Sequence, residues 1–150
     1  MTEFSFTGVY QILPTPFRDD ESLDHESLAN FIRFLKQIGV DGLTLFGILG
    51  EANRLSDMDR EAVLATALEA SDGLPIIVGT SHTGTETTAD LTKMAERQGA
   101  TACMIAPSKQ ATPSDQTIFD YYSRVREKTS LPIIVQDHPG VTEVHMTIDL

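Results

Sequence analysis

The pentapeptide Leu74-Pro75-Ile76-Ile77-Val78 recurs as Leu131-Pro132-Ile133-Ile134-Val135, and each copy leaves a predicted helix and enters a short apolar run. Such runs are too short to be helices and suit strands covered on both faces, as in a parallel sheet with helices outside. Residues 9–13, 43–46 and 102–106 fit the same description. Five strands alternating with four helices, at about 30 residues per unit, mean βα units and parallel pairing. Right-handed crossovers then leave two architectures, an open doubly wound sheet or a (β/α)8 barrel. No Gly-x-Gly-x-x-Gly follows the first strand and there is no P-loop lysine, which counts against a nucleotide-binding sheet.

The helices carry their own start and stop signals. Asp24 is a good N-cap for a helix with Leu28, Phe31, Ile32, Leu35 and Ile38 on one face, closed by Gly39. Ser56 and Asp59 form a reciprocal cap for the next, with Val63, Ala67 and Ala70 facing inward and Gly73 at its end. A third helix over about residues 86–98 carries Ala89, Leu91, Met94 and Ala95 and closes at Gly99. Ser114 opens a fourth with Ile118, Tyr121, Tyr122 and Val125, and residues 147–150 read as the start of another.

Composition narrows the function classes. A net charge of −11 and a pI near 4.6 argue against nucleic acid or an anionic membrane as the main partner. The single cysteine, Cys103, excludes an intramolecular disulfide and fits a reducing compartment. No basic-then-apolar leader opens the chain and no run approaches the length of a transmembrane helix, so the expected address is the cytoplasm. A typical barrel takes about 250 residues. These 150 residues are therefore expected to be the N-terminal portion of a single barrel domain in a longer protein.

The residues that could carry chemistry sit where the strands end. After the second strand comes Gly47-Ile48-Leu49-Gly50-Glu51, whose two glycines allow a tight turn and close approach of backbone N–H groups to a small anion. Thr15, Thr80, Lys109 and the segment Gln136-Asp137-His138 follow other strands. In a barrel all of these belong to one rim, the end where such folds build their sites. Small hydroxyls and backbone donors there suit a small molecule bearing a carboxylate. Tyr121 and Tyr122 lie at helical spacing and read as packing, and Cys103 reads as an inert buried thiol. No Cys/His cluster has zinc spacing, and no metal or other cofactor is expected.

Pro14-Thr15-Pro16-Phe17, the stretch from Gly42 to Glu51 with Leu55-Ser56 after it, Gly79-Thr80, and Leu131 to Pro139 stand in a familiar order and spacing. Together they resemble the dihydrodipicolinate synthase/N-acetylneuraminate lyase family from about Gly8 to Leu150. The resemblance implies a (β/α)8 barrel, usually homotetrameric, with a dimer as the alternative. It implies a Schiff base between a barrel lysine and pyruvate or another 2-oxo acid, followed by aldol addition, cleavage or dehydration. The imine lysine belongs to strand six and is expected beyond Leu150.

Several positions depart from that pattern. The family's turn is Gly-Thr-Thr-Gly-Glu or a near variant, so Ile48 and Leu49 leave only Gly47 to Gly50 backbone donors, with Thr15 and Thr80, to hold the carboxylate. Gln136 stands where the family's catalytic tyrosine is expected, and Val141 where the synthase has an arginine. Lys109 falls near the position of a tyrosine borrowed from a neighbouring subunit. An amide cannot shuttle a proton as a phenol can, so Asp137 and His138 are the expected substitutes. The chain is thus identified as a divergent member represented by its N-terminal part, acting on a 2-oxo acid but not as the lysine-pathway synthase. A non-catalytic small-acid-binding or regulatory barrel of the same family is the alternative.

Overall fold

The computed structural model describes residues 6–109 and 114–150. Five strands form one sheet in the order β1-β2-β3-β4-β5, with β1 at Tyr10–Ile12, β2 at Gly42–Leu45, β3 at Ile76–Gly79, β4 at Ala102–Ile105 and β5 at Ile133–Val135. The pairing is parallel, with Gln11 opposite Leu43 and Met104 opposite Ile134. A doubly wound sheet reverses its strand order at the switch point; this one does not. The sequential order, with a helix between successive strands, is that of the first five strands of a (β/α)8 barrel. The four long helices are α1 at His25–Ile38, α2 at Asp57–Ser71, α3 at Thr85–Gln98 and α4 at Asp115–Arg126.

Contacts divide the chain into two compact units, one ending at Ile77 and one beginning at Val78, so the boundary falls within β3. In the first unit α1 runs between the caps read from the sequence. The Asp24 carboxylate accepts from the Ser27 N–H at 3.0 Å, and Gly39 closes the helix in a left-handed conformation with φ of 89°. Leu28, Ile32 and Leu35 are buried, but Ile38 is 61% exposed. It sits in the last turn, where Lys36 instead reaches across to Asp72 at the end of α2 (2.5 Å). At the other end of α1 the His25 ring meets the Thr66 hydroxyl of α2 at 2.8 Å. The Ser56–Asp59 capping box is present, and Val63, Leu64, Ala67 and Ala70 of α2 are buried. β2 is buried along its whole length, as its uninterrupted apolar pattern requires.

The second unit is pinned by polar contacts between α3 and α4 as well as by its core. The Thr88 hydroxyl of α3 meets the Tyr121 hydroxyl of α4 at 3.0 Å inside the unit. Glu86 pairs with Lys128, and Glu96 accepts from the Thr129 hydroxyl at 2.9 Å and the Ser130 N–H at 3.0 Å. Ile118, Tyr121 and Val125 are the buried face of α4. Beyond β5 a single helical turn, α5 at Pro139–Thr142, starts on a proline preset for that position. The helix expected over 147–150 does not form. That segment closes only one turn, from the Leu150 N–H to the Thr147 carbonyl at 3.3 Å.

Candidate functional site

The stretch after β2 departs most from its expected geometry. Gly47 has φ of −72° and ψ of −175°, and the left-handed angles fall on Phe46 (φ 58°) and Glu51 (φ 50°) rather than on either glycine. A bulky aromatic residue in that region is strained unless its surroundings hold it there. Between the two, Ile48–Gly50 form one turn of 3-10 helix, and beyond Glu51 Ala52–Arg54 form another. The glycines serve close approach instead of backbone freedom. A Cβ on Gly50 would stand 3.2 Å from the Leu13 carbonyl oxygen, and one on Gly47 would stand 3.2 Å from Ile12 Cγ2.

Hydrogen bonds decide which donors this turn can offer. The Gly50 N–H is spent on the Gly47 carbonyl at 3.0 Å, and the Glu51 N–H on the Ile48 carbonyl at 3.1 Å. Ile48 and Leu49 open the 3-10 turn, where N–H groups have no partner within the turn. Their side chains are 69% and 56% exposed. Thr15 is buried, and its hydroxyl donates to the Gly50 carbonyl at 2.7 Å, bringing two of the expected residues together. Its first role is thus to brace the turn.

Sequence reading missed Arg60. It lies on the inward stripe of α2 at steps of three and four before Val63 and Ala67, and it is 7% exposed. Its guanidinium stands over the Phe46 ring at 5.8 Å and Nη2 donates to the Ala52 carbonyl, while Nε has no partner. Burial pushes the guanidinium below its ordinary value, and Asp57 opposes that shift. A charge on the apolar stripe of a helix was the available signal.

In the second unit Thr80 is fully buried. Its N–H donates to the Met104 carbonyl at 3.1 Å, and its hydroxyl lies 2.9 Å from that of Thr92. The Thr92 proton goes to the Thr88 carbonyl at 2.7 Å, because a hydroxyl has one proton and the carbonyl can only accept. Thr80 therefore donates to Thr92. Cys103 is buried beside them, and burial raises its thiol to about 11 against weaker lowering by Thr92 and Thr80. Lys109 is exposed and paired with Glu143 at 2.5 Å.

Gln136 and Tyr122 meet at one atom. The Gln136 N–H and the Tyr122 hydroxyl each donate to the Ile105 carbonyl at 2.9 Å, at the end of β4. Burial, then Tyr121 and Asp137, raise the Tyr122 phenol well above its ordinary value, so it stays a neutral donor. Tyr122 was read as packing only, and its hydroxyl adds this anchor. Asp137 is exposed and His138 half-buried. The His138 carbonyl accepts from Val141 and Thr142 N–H groups (3.0 and 3.1 Å), while its ring does not cap α5. Among the described residues no three His, Cys, Asp or Glu side chains gather as a metal site. No helix there is long and apolar enough to cross a membrane.

Known proteins match this chain closely. The pattern of the "Dihydrodipicolinate synthetase family" matches residues 5–150. The 4-hydroxy-tetrahydrodipicolinate synthase of Thermotoga neapolitana is 36% identical over 142 residues, 94% of this chain and 48% of that protein. That of Natronomonas pharaonis is 31% identical over 149 residues, 99% of this chain and 51% of its own length. The structure of the 4-hydroxy-tetrahydrodipicolinate synthase from Methylacidiphilum fumariolicum SolV superposes with a TM-score of 0.92 at 25% identity, covering 97% of this chain and 48% of that one. The expectation of a divergent member represented by its N-terminal part only is thereby corrected. The match is at family level and runs across nearly the whole chain. The chain spans about half the length of the curated relatives it matches.

Proposed function

The chain belongs to the dihydrodipicolinate synthetase family, and from that premise we propose that its protein is a class I lyase acting on pyruvate or a related 2-oxo acid. The observation that carries the reading is the family match over residues 5–150. A lysine amine, supplied by polypeptide following Leu150, adds to the C2 carbonyl of the keto acid and expels water to give an imine. Loss of a C3 proton turns the imine into an enamine, the carbon nucleophile for aldol-type chemistry. The N–H groups of Ile48 and Leu49 receive the carboxylate, on a turn braced by Thr15 and Gly50. Thr80, already partnered and buried, supports the strand end instead of donating to substrate.

Gln136 and Val141 stand where the lysine-pathway synthase is expected to have a tyrosine and an arginine, and apolar Ile48 and Leu49 replace its hydroxyls. These differences favour a reaction partner other than that synthase's, with Asp137 and His138 carrying protons in place of the phenol. Lys109 lies where a neighbouring subunit would approach in a homodimer or homotetramer. The single buried cysteine favours a reducing, cytoplasmic setting.

The loss of the phenol at Gln136 also favours a second reading, a non-catalytic barrel that binds a small acid. Solvent exchange separates the two. With pyruvate in deuterium oxide, the full-length enzyme should replace the methyl protons by deuterium, followed by proton NMR, because the enamine is reprotonated from solvent. A protein that binds pyruvate but leaves its methyl signal unchanged fits the second reading.

A further inference from the structure

Three observations meet on one side chain in the first unit. Phe46, the first residue after β2, is held at a left-handed φ of 58° although it is bulky and aromatic. Arg60 lies over its ring at 5.8 Å and donates Nη2 to the Ala52 carbonyl, past the far end of the same turn. Arg60 as a residue is 7% exposed, its side chain stands in no ion pair among the described residues, and Nε has no hydrogen-bond partner. A buried cation with no carboxylate in ion-pair contact, Asp57 acting only across a longer distance, is expensive, and an apolar residue of similar volume would serve the core as well or better. Packing alone does not account for it.

We propose that Arg60 is a positioning residue for the turn after β2: wedged between the Phe46 ring and the Ala52 carbonyl, it holds residues 46–52 in the geometry that presents the Ile48 and Leu49 N–H groups to a keto-acid carboxylate. The ligand part of this inference rests on the lyase reading above. The mechanical part does not. Phe46 and Glu51 are the two left-handed hinges of the segment, and Arg60 touches the first hinge at its ring and the chain just outside the second at the Ala52 carbonyl. Releasing either contact lets a hinge relax and turns the N–H pair away, without disturbing the Thr15–Gly50 bond that ties the middle of the turn.

The test uses the full-length protein with pyruvate as probe and two variants. Arg60→Met keeps the packing stem but removes the donors, and Arg60→Lys keeps the charge but loses the planar fork. Lys36→Met, which removes an exposed pair in the same unit, serves as the control. In borohydride trapping, Arg60→Met should raise the half-saturating pyruvate concentration about tenfold, the equivalent of one charge-assisted hydrogen bond. The adduct yield at saturation should be unchanged. Arg60→Lys should fall between Arg60→Met and wild type, and Lys36→Met should match wild type. Amide exchange should accelerate in peptides covering 46–54 and not in peptides from α1. Unchanged half-saturation with unchanged turn exchange overturns the proposal, as does acceleration spread evenly over α1 and α2. If the wild-type protein traps no pyruvate, the lyase reading fails and exchange decides alone: acceleration confined to the turn supports the positioning role, and any other pattern overturns it.

Discussion

The Thr15 hydroxyl donates to the Gly50 carbonyl across 2.7 Å, joining the loop after β1 to the turn after β2 in a buried contact. Thr15→Val keeps the shape and strands that carbonyl without its partner. Unfolding by urea of the full-length protein should show a loss of about 1–3 kcal/mol, the cost of a buried acceptor left unsatisfied. Thr15→Ser, which keeps the hydroxyl, should lose less than half as much.

The two glycines of the turn should respond unequally to an added methyl group. At Gly50 the new Cβ meets backbone, the Leu13 carbonyl, at 3.2 Å; at Gly47 it meets the Ile12 side chain at the same distance. A side chain can give way more cheaply than a strand. Gly50→Ala should therefore lower the melting temperature more than Gly47→Ala, with a cost of about 1–3 kcal/mol for the former. Equal and negligible shifts would mean the turn moves freely.

Alkaline stability should depend on Cys103. Burial raises its thiol from 9.0 to about 11 in the folded chain. The unfolded chain therefore ionises first, and the stability tied to the neutral thiol is complete below pH 9 and lost as pH rises toward 11. Urea unfolding should show a decline of at most about 1.4 kcal/mol per pH unit from this group. Cys103→Ala should remove that part of the decline, leaving the later one from Tyr121 and Tyr122, whose phenols burial also raises.

Proton transfer should fall on the segment after β5. Asp137→Ala or His138→Ala should slow deuterium incorporation into pyruvate by about 100-fold, the size expected for one general acid–base group. Borohydride trapping should be largely preserved, since imine formation precedes the C3 proton loss. Full exchange rates in both variants would move the acid–base role elsewhere.

What was legible in the sequence was local or periodic. Asp24 and Gly39 bound α1, and Ser56 and Asp59 cap α2, because capping depends on a few neighbouring residues. The repeated Leu-Pro-Ile-Ile-Val marked β3 and β5, and alternation of strand and helix narrowed the sheet to two architectures. Where tertiary contacts decide, the reading failed. Gly47 and Gly50 drew the expectation that the glycines make the tight turn, yet Phe46 and Glu51 take the left-handed angles. The cation over Phe46 comes from the following helix; its place on the apolar stripe of α2 marks Arg60 as unusual, but only the tertiary contact ties it to Phe46. Ile38 matched the buried stripe of α1 but lies in its last turn, largely exposed. Within the turn after β2 the hydrogen bonds, not the residue pattern, separate the Gly50 N–H, spent on Gly47, from those of Ile48 and Leu49.

The central claim is imine chemistry, and the most direct measurement is the location of a borohydride-trapped pyruvate adduct on the full-length protein by peptide mass mapping. One lysine peptide from beyond Leu150 should gain the mass of the reduced adduct, in proportion to pyruvate. Lys36, Lys109 and Lys128, held in ion pairs with Asp72, Glu143 and Glu86, should stay unmodified, as should Lys93. An adduct on Lys109, or none on any lysine of the folded protein with pyruvate or other small 2-oxo acids, would contradict the account.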